Sequence, residues 1–255
     1  MEVITLQSGS SGNCVYIESD GVRLLFDAGI SGRQAQERLA EYGKDIRAVD
    51  ALIISHDHRD HTSCMGVYNR KFGLPIYITR PTFYTVRQGM KLGRVENVHH
   101  FCAGETLRFG HVEVETMSTP HDAADGVVFV VDDAAHRFGL LTDLGHVFDE
   151  LQQVISTLDA VLVESNYDTS MLERGSYPRF LKDRIRGPHG HLSNVEAAEL
   201  LKGAELSKLK WACLGHLSDE NNDPAIAIRT HQRILGKSFP LKCADRRQVS
   251  ERMIV

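Results

Sequence analysis

His56-Asp57-His58-Arg59-Asp60-His61 is the segment that most constrains this chain. It follows the apolar run Val49–Ser55, which reads as a buried strand. Four side chains that can ligate a metal, His56, His58, Asp60 and His61, fall within six residues. They cannot all face one way on a strand or a helix. On a loop at a strand end they can converge: His56 and His58 project alike on an extended chain, and Asp60 and His61 come round as a helix begins. Neutral imidazoles with a carboxylate suit zinc, iron or manganese. The alternative is a solvated, charged loop that binds nothing.

Further candidates follow other apolar runs. His121 comes after Thr119-Pro120, Asp143 after the strand Phe138–Thr142, and His216 after the strand Trp211–Gly215. Each alone reads equally as a turn residue. Their shared placement, polar residue after apolar strand, is the signal, because one sheet edge can gather distant residues. The rest of the chain alternates strands with helices. Val3–Gln7, Cys14–Glu18, Val22–Phe26, Ile76–Thr79, Val112–Met117, Val127–Asp132 and Ala160–Glu164 read as strands. Ser31 with Gln34, and Ser193 with Glu196, form capping boxes, and Asp223-Pro224 opens a helix ending near Gly236. A helix is expected over Thr62–Phe72, closed by Gly73. The class is mixed α and β, and with no linker or repeat the expectation is a single domain over 1–255.

Composition narrows the setting. The 255 residues can bury a sizeable core without disulfides. No apolar run approaches the length of a membrane helix, and the first residues read as a strand and not a signal peptide. Five cysteines with no CxxC spacing suit a reduced, cytoplasmic chain. The formal charge of −5 argues against a generic nucleic-acid coat. Two divalent metals would bring it to about −1.

Taken in order, Asp27, His56-x-His58-x-Asp60-His61, His121, Asp143 and His216 resemble the signature of the metallo-β-lactamase superfamily, and the match covers nearly the whole chain. Ser8-Gly9-Ser10-Ser11-Gly12-Asn13, Glu164-Ser165-Asn166-Tyr167-Asp168, Gly190-His191-Leu192-Ser193-Asn194 and His216-Leu217-Ser218-x-Glu220-Asn221-Asn222 are similar to the WalJ (YycJ) group. So is Met171-Leu172-Glu173-Arg174-Gly175-x-Tyr177-Pro178. The resemblance implies an α+β, four-layer αββα sandwich with two metal ions at one edge of its sheets. His56, His58 and His121 would hold one ion, and Asp60, His61 and His216 the other. Asp143 would bridge them, and Asp27 would orient the ligands from behind. Tyr167 departs from the group, which commonly has His there.

The implied activity is metal-dependent phosphodiester cleavage, a 5′–3′ exonuclease on DNA. Two metals a few Å apart can generate hydroxide and stabilise an in-line displacement at phosphorus. Asp60 could also accept a proton. His191, two residues before the Ser193 cap, lies close to a helix N-terminus, where an anion is favoured. With Glu164 upstream as its partner, it could touch a phosphate and protonate the leaving oxygen; the alternative is an exposed His in a capping turn. Ser193 and Asn194 join it as candidate phosphate contacts. Ser10, Ser11, Gly12 and Asn13 read either as a phosphate loop or as a plain hairpin turn. Arg174, Arg179, Lys182, Arg184 and Arg186 read either as a phosphate track or as a solvated helix face. Cys64 reads as a small buried residue beside the metal loop. Rival functions are a small-molecule hydrolase (a cyclic phosphodiesterase or a glyoxalase II-like thioesterase) and a non-enzymatic metal-binding regulator. The Glu164 and His191 motifs favour phosphodiesters, and the acidic total favours a small substrate.

Overall fold

The computed structural model describes residues 1–203 and 208–255. The chain divides into two compact units. One comprises Met1–Ser118, Ala123–Val127 and Asp245–Ile254; the other comprises Thr119–Asp122, Val128–Ala244 and Val255.

The first unit is built on β1 (Glu2–Gln7), β2 (Cys14–Ser19), β3 (Val22–Phe26), β4 (Ala51–Ile53), β5 (Ile76–Thr79) and β6 (Val98–Phe101). Its residues also include the hairpin β7 (Thr106–Phe109) and β8 (Val112–Ser118), whose strands pair with each other antiparallel and lie outside the sheet of β1 to β6. The sheet order is β14 (Met253–Ile254), β1, β2, β3, β4, β5, β6. The strands β1, β2 and β3 pair antiparallel, and Asp20 and Gly21, both at positive φ, make the tight turn between β2 and β3. From β3 to β6 the pairing is parallel, so the carboxyl ends of β3, β4 and β5 lie on one edge. Asp27 and the histidine loop leave from that edge. On one face, α1 (Gly32–Ala40) and α3 (Met65–Phe72) bury Ala35, Leu39, Met65, Tyr68 and Phe72 against Ile4, Leu25, Leu52 and Ile76. Each such leucine, isoleucine, methionine or phenylalanine contributes roughly 1.5–3 kcal/mol of transfer free energy. The Ser31–Gln34 capping box starts α1 as its sequence requires, and α4 (Arg80–Gly89) follows β5.

Two expected elements are shorter than the sequence suggests. The run Val49–Ser55 is a strand only over Ala51–Ile53, because Ile46–Ala48 closes a 3₁₀ turn whose cap is Val49. The helix expected over Thr62–Phe72 is broken into α2 (Arg59–Thr62) and α3. The break is at Cys64, whose N–H donates to the Ala28 carbonyl at 2.9 Å and leaves the helical ladder. Cys64 itself is half-buried, not buried. Gly73 closes α3 in the left-handed conformation, at φ 76°.

The second unit has the strand order β13 (Leu241–Cys243), β12 (Trp211–Gly215), β11 (Ala160–Glu164), β10 (Arg137–Leu141), β9 (Val127–Asp132). The strands β10 to β13 are parallel, which puts Asp143, Glu164 and His216 at neighbouring carboxyl ends. Between the strands lie α5 (Asp149–Ile155), α6 (Thr169–Arg174), α7 (Arg179–Ile185), α8 (Asn194–Gly203) and α9 (Pro224–Leu235). Ser193 and Glu196 exchange the bonds of a capping box ahead of α8, and Asp223 caps α9. Among the described residues, no helix is long and apolar enough to cross a membrane.

One buried histidine of α9 makes a pH prediction. His231 is fully buried, and its Nδ1 donates to the Ala227 carbonyl at 2.9 Å. Burial pushes its pKa down from the usual 6.5 to about 4, with the carbonyl opposing. The unfolded chain therefore takes up this proton at higher pH than the folded one. Stability contributed by the neutral ring is present above about 6.5 and is lost as pH falls towards 4. The loss should approach roughly 3 kcal/mol. Urea unfolding of the wild type and of His231→Leu, compared across that range, measures it; parallel pH profiles for the two proteins would refute the assignment.

Candidate metal centre

In the first unit a buried carboxylate organises the histidine loop. Asp27 follows β3 in the left-handed conformation, at φ 63°. Its Oδ1 accepts the Ser55 N–H at 2.9 Å, and the Ser55 hydroxyl lies 3.0 Å from both carboxylate oxygens. His61 donates from Nδ1 to Asp27 Oδ2 at 2.7 Å. His56 Nδ1 lies 2.9 Å from Ser55 Oγ, which spends its own proton on Asp27 and so accepts from the ring. These bonds fix the tautomers: both Nδ1 atoms carry hydrogen, and both Nε2 atoms keep their lone pairs, as metal-ligating imidazoles require. His58 is the N-cap of α2, its ring 4.7 Å from that of His56. The start of α2 turns Asp60 and His61 to a common side, with Asp60 Oδ2 and His61 Nε2 at 3.4 Å.

Asn13 joins this cluster. Its Nδ2 is 3.0 Å from His61 Nε2 and 3.2 Å from Asp60 Oδ2, so one donor meets both acceptors. A divalent ion with imidazole and carboxylate preferences would satisfy the same pair. The loop before Asn13 is tied locally: Gly9 N–H donates to Asn13 Oδ1 at 2.9 Å, and Gly12 takes φ 152° against the Gly29 carbonyl. Ser10 and Ser11 are exposed, and the Ser11 hydroxyl donates to the Arg246 carbonyl at 3.3 Å. Gly29 is a contact that sequence reasoning missed. A Cβ there would lie 1.6 Å from the Asp60 carbonyl oxygen, so the residue admits no side chain.

In the second unit the hub is Glu164, which is fully buried. Its Oε2 accepts the N–H groups of Leu144 at 3.1 Å and Leu192 at 3.0 Å. Its Oε1 accepts from His191 Nδ1 at 2.7 Å and His216 Nδ1 at 3.1 Å. Burial alone would raise this carboxyl; His191 and His216 beside it prevail and hold it at about 2. Asp143 and His216, like Asp27, follow strands at positive φ, 59° and 53°. Asp143 Oδ1 lies 3.5 Å from His121 Nε2, and the His121 Nδ1 donates to the Gly190 carbonyl at 2.9 Å. Ligand-type atoms of Asp143, Glu164, His191 and His216 lie within 4.8 Å of one another. The short contacts in that group are made at the Nδ1 faces, so Glu164 acts as anchor, and Nε2 lies on the opposite side of each ring.

The motif residues around these histidines form a buried polar lattice. Asn194 and Asn222 pair through both amide groups, at 3.0 and 2.8 Å. Ser165 donates to Asn194 Oδ1 at 2.6 Å, and Asn166 donates to the His216 carbonyl at 2.8 Å. Asn194 is thus occupied inside the protein, and the Ser193 hydroxyl serves its capping box. Tyr167 is buried and forms a backbone bridge to Ser193, and burial pushes its phenol pKa up. Gly145 is the second missed contact: at φ 66°, its Cβ would lie 1.9 Å from the Pro120 carbonyl oxygen, next to His121. Its place two residues after Asp143 was the only signal in the sequence.

In each unit the donors are imidazole Nε2 and carboxylate oxygen, each ring fixed from behind, and that chemistry fits divalent metal ions. Comparisons with known proteins agree. Residues 22–213 match the family described as the beta-lactamase superfamily domain. The exodeoxyribonuclease WalJ of Streptococcus pneumoniae is 38% identical over 229 residues, covering 88% of this chain and 84% of that protein. The exodeoxyribonuclease YycJ of Bacillus anthracis is 33% identical over 247 residues, 94% of each chain. Among solved structures, the metallo-β-lactamase fold protein YhfI from Bacillus subtilis superposes with a TM-score of 0.75 at 18% identity, over 98% of both chains. That likeness, with two mixed sheets flanked by helices, bears out the expected α+β fold. The chain belongs to the metallo-β-lactamase superfamily and, by its extent of identity, to the WalJ-like group within it.

Proposed function

We propose that this chain is a dinuclear metal-dependent phosphodiesterase that degrades DNA as a 5′–3′ exonuclease, with 1–255 working as one hydrolase domain. The observation that carries the reading is the Glu164–His191 pair: a half-buried imidazole bound through Nδ1 to a buried carboxylate at 2.7 Å, its Nε2 left for a substrate. The WalJ and YycJ relatives, both named exodeoxyribonucleases, supply the nucleic-acid substrate.

The ligand set is that of the resemblance: His56, His58 and His121 for one ion, Asp60, His61 and His216 for the other, Asp143 between them. Zinc, manganese or iron suits these donors. Such ions, when bound, supply Lewis-acid stabilisation of a phosphoryl oxygen and a nucleophile from water at neutral pH. Asp60, half-buried, takes up the proton that the attacking water loses. His191 contacts the phosphate and delivers a proton from Nε2 to the leaving oxygen. Glu164 at Nδ1 balances the charge of the doubly protonated ring and orients it. Asn13 holds Asp60 and His61 in place from the side. Ser10, Ser11 and Gly12 would border the substrate, and Ser193 and Asn194 would shape the turn that carries His191.

Metal analysis of the purified, reconstituted protein should give about two equivalents per chain. Removing the acceptor behind His61 by Asp27→Ala should weaken metal retention roughly 10–100-fold against a chelator. An unchanged affinity would deny Asp27 its orienting role, and no binding of zinc, manganese or iron would remove the metal reading itself.

His191→Ala should leave both metals bound and depress cleavage of end-labelled DNA by roughly 10²–10⁴-fold. Bis-p-nitrophenyl phosphate should lose less, because its leaving group needs no proton. Glu164→Gln should follow the same pattern more mildly. Equal losses on both substrates would reduce His191 to a binding group. Turnover of a thioester, with none of either phosphodiester, would replace the phosphodiesterase reading altogether.

A further inference from the structure

The second unit carries an aromatic side chain that the fold does not use. Phe180, on α7, is 74% exposed, the highest among the large apolar residues described. None of the seven residues of α7 is buried. A single exposed apolar side chain needs no explanation; this one has a setting that does. Phe180 and Arg184 stand four residues apart on one helix face, about 6 Å along the axis. The Arg184 Nε donates to Asp122 Oδ2 at 2.5 Å, and Asp122 Oδ1 lies 3.5 Å from His121 Nε2. The Ile185 carbonyl accepts the His191 N–H at 2.8 Å. Gly190 packs so closely that a Cβ would lie 2.1 Å from that same carbonyl oxygen. So α7, although solvated, is fixed at its last turn to the backbone that carries His191 and to the neighbour of His121.

Charge selects the occupant. Residues 173–186 hold five basic and two acidic side chains in a chain of net charge −5. The acids are spent near the end of the helix: Asp183 and Glu173 face Arg186, and Asp183 reaches Arg179 only at 3.7 Å. The Arg179 side chain is 92% exposed beside Phe180. An aromatic face flanked by mobile cations is how proteins hold a single strand: bases stack on the ring, and arginines meet the phosphates.

We infer that α7 is the strand platform of this enzyme: Phe180 stacks on a base of a single-stranded end, Arg179 engages the adjoining phosphates, and the strand is thereby led to His191. This rests on the nuclease reading and adds the form of its substrate. An aromatic platform accepts any base and demands that the base be unpaired.

The test uses the full chain and short oligothymidylate with phosphorothioate linkages, so that binding is read apart from turnover, against an abasic strand of equal length and charge. Stacking at about 1–3 kcal/mol per base predicts that the wild type prefers the base-bearing strand roughly 5–150-fold. Phe180→Ala should erase that preference, and Phe180→Tyr should retain most of it. Phe180→Trp places an exposed indole on α7, while the chain's own Trp211 is buried. Its fluorescence should be quenched by the oligothymidylate and not by the abasic strand. A preference that survives in Phe180→Ala overturns the proposal. So does an absence of quenching, the result expected if Phe180 meets another protein or a membrane. Base preference without any cleavage would sink the nuclease reading and uphold the platform. Cleavage without base preference would do the reverse.

Discussion

Each unit depends on one buried carboxylate that must be paid in hydrogen bonds. Asp27 and Glu164 are out of water, and a carboxylate there is tolerated only when donors converge on it. Asp27 draws the Ser55 backbone and hydroxyl and the His61 ring. Glu164 draws two backbone N–H groups and the rings of His191 and His216. Satisfying the charge and aiming the imidazoles are therefore the same act. Once Nδ1 is committed to the carboxylate, the ring plane is set and Nε2 turns to the opposite side. The ligand geometry follows from electrostatic necessity at residues that never need to touch a metal.

The backbone conforms to the same demand. Asp27, Asp143 and His216 all leave their strands in the left-handed region, where a non-glycine residue costs of order 1 kcal/mol. Asp and His are among the side chains that tolerate it best. A residue continuing the strand would keep the alternating in-and-out direction of its predecessors. The left-handed step breaks that alternation and throws the side chain across the carboxyl edge. Gly29 and Gly145 complete the device by letting one loop lie directly on the carbonyl of another. Strain at the exits and close contact behind them both serve to hold polar groups that the sheets alone could not aim.

Much of this was legible in the sequence because it is local. The capping boxes at Ser31 and Ser193, the Gly73 stop, the Asp223-Pro224 start and most strands depend on neighbours a few residues away, and they stand where the pattern put them. The histidine loop and its companions were legible because strand ends repeat one grammar. The failures are equally physical. The break at Cys64 comes from a bond to Ala28, far away in the chain, and no helical periodicity reports it. Ser55 stood at the end of the apolar run before the motif without a role, because its role is a relay between Asp27 and His56 that exists only once β3 and β4 are paired. Asn194, expected to face a phosphate, is buried against Asn222; asparagine in a turn reads the same whether it looks outward or in.

The net charge of −5 reads differently once the acids are placed. Asp27, Asp143 and Glu164 are buried, and each is answered at short range by histidine or backbone donors. A charge enclosed in this way contributes little to the potential a polyanion meets at the surface, and divalent ions at such carboxylates would reverse its sign locally. The exposed surface is set by segments such as 173–186, where basic side chains outnumber acidic ones. An acidic total is thus compatible with a nucleic-acid substrate when the acids are enclosed and the cations exposed. That arrangement also favours a brief engagement over a persistent one. A few exposed arginines and one ring release few counterions, whereas a coating protein neutralises many phosphates at once. On the proposed exonuclease reading, in which a strand advances one step at a time, weak local contacts beside strongly structured side chains are the useful balance.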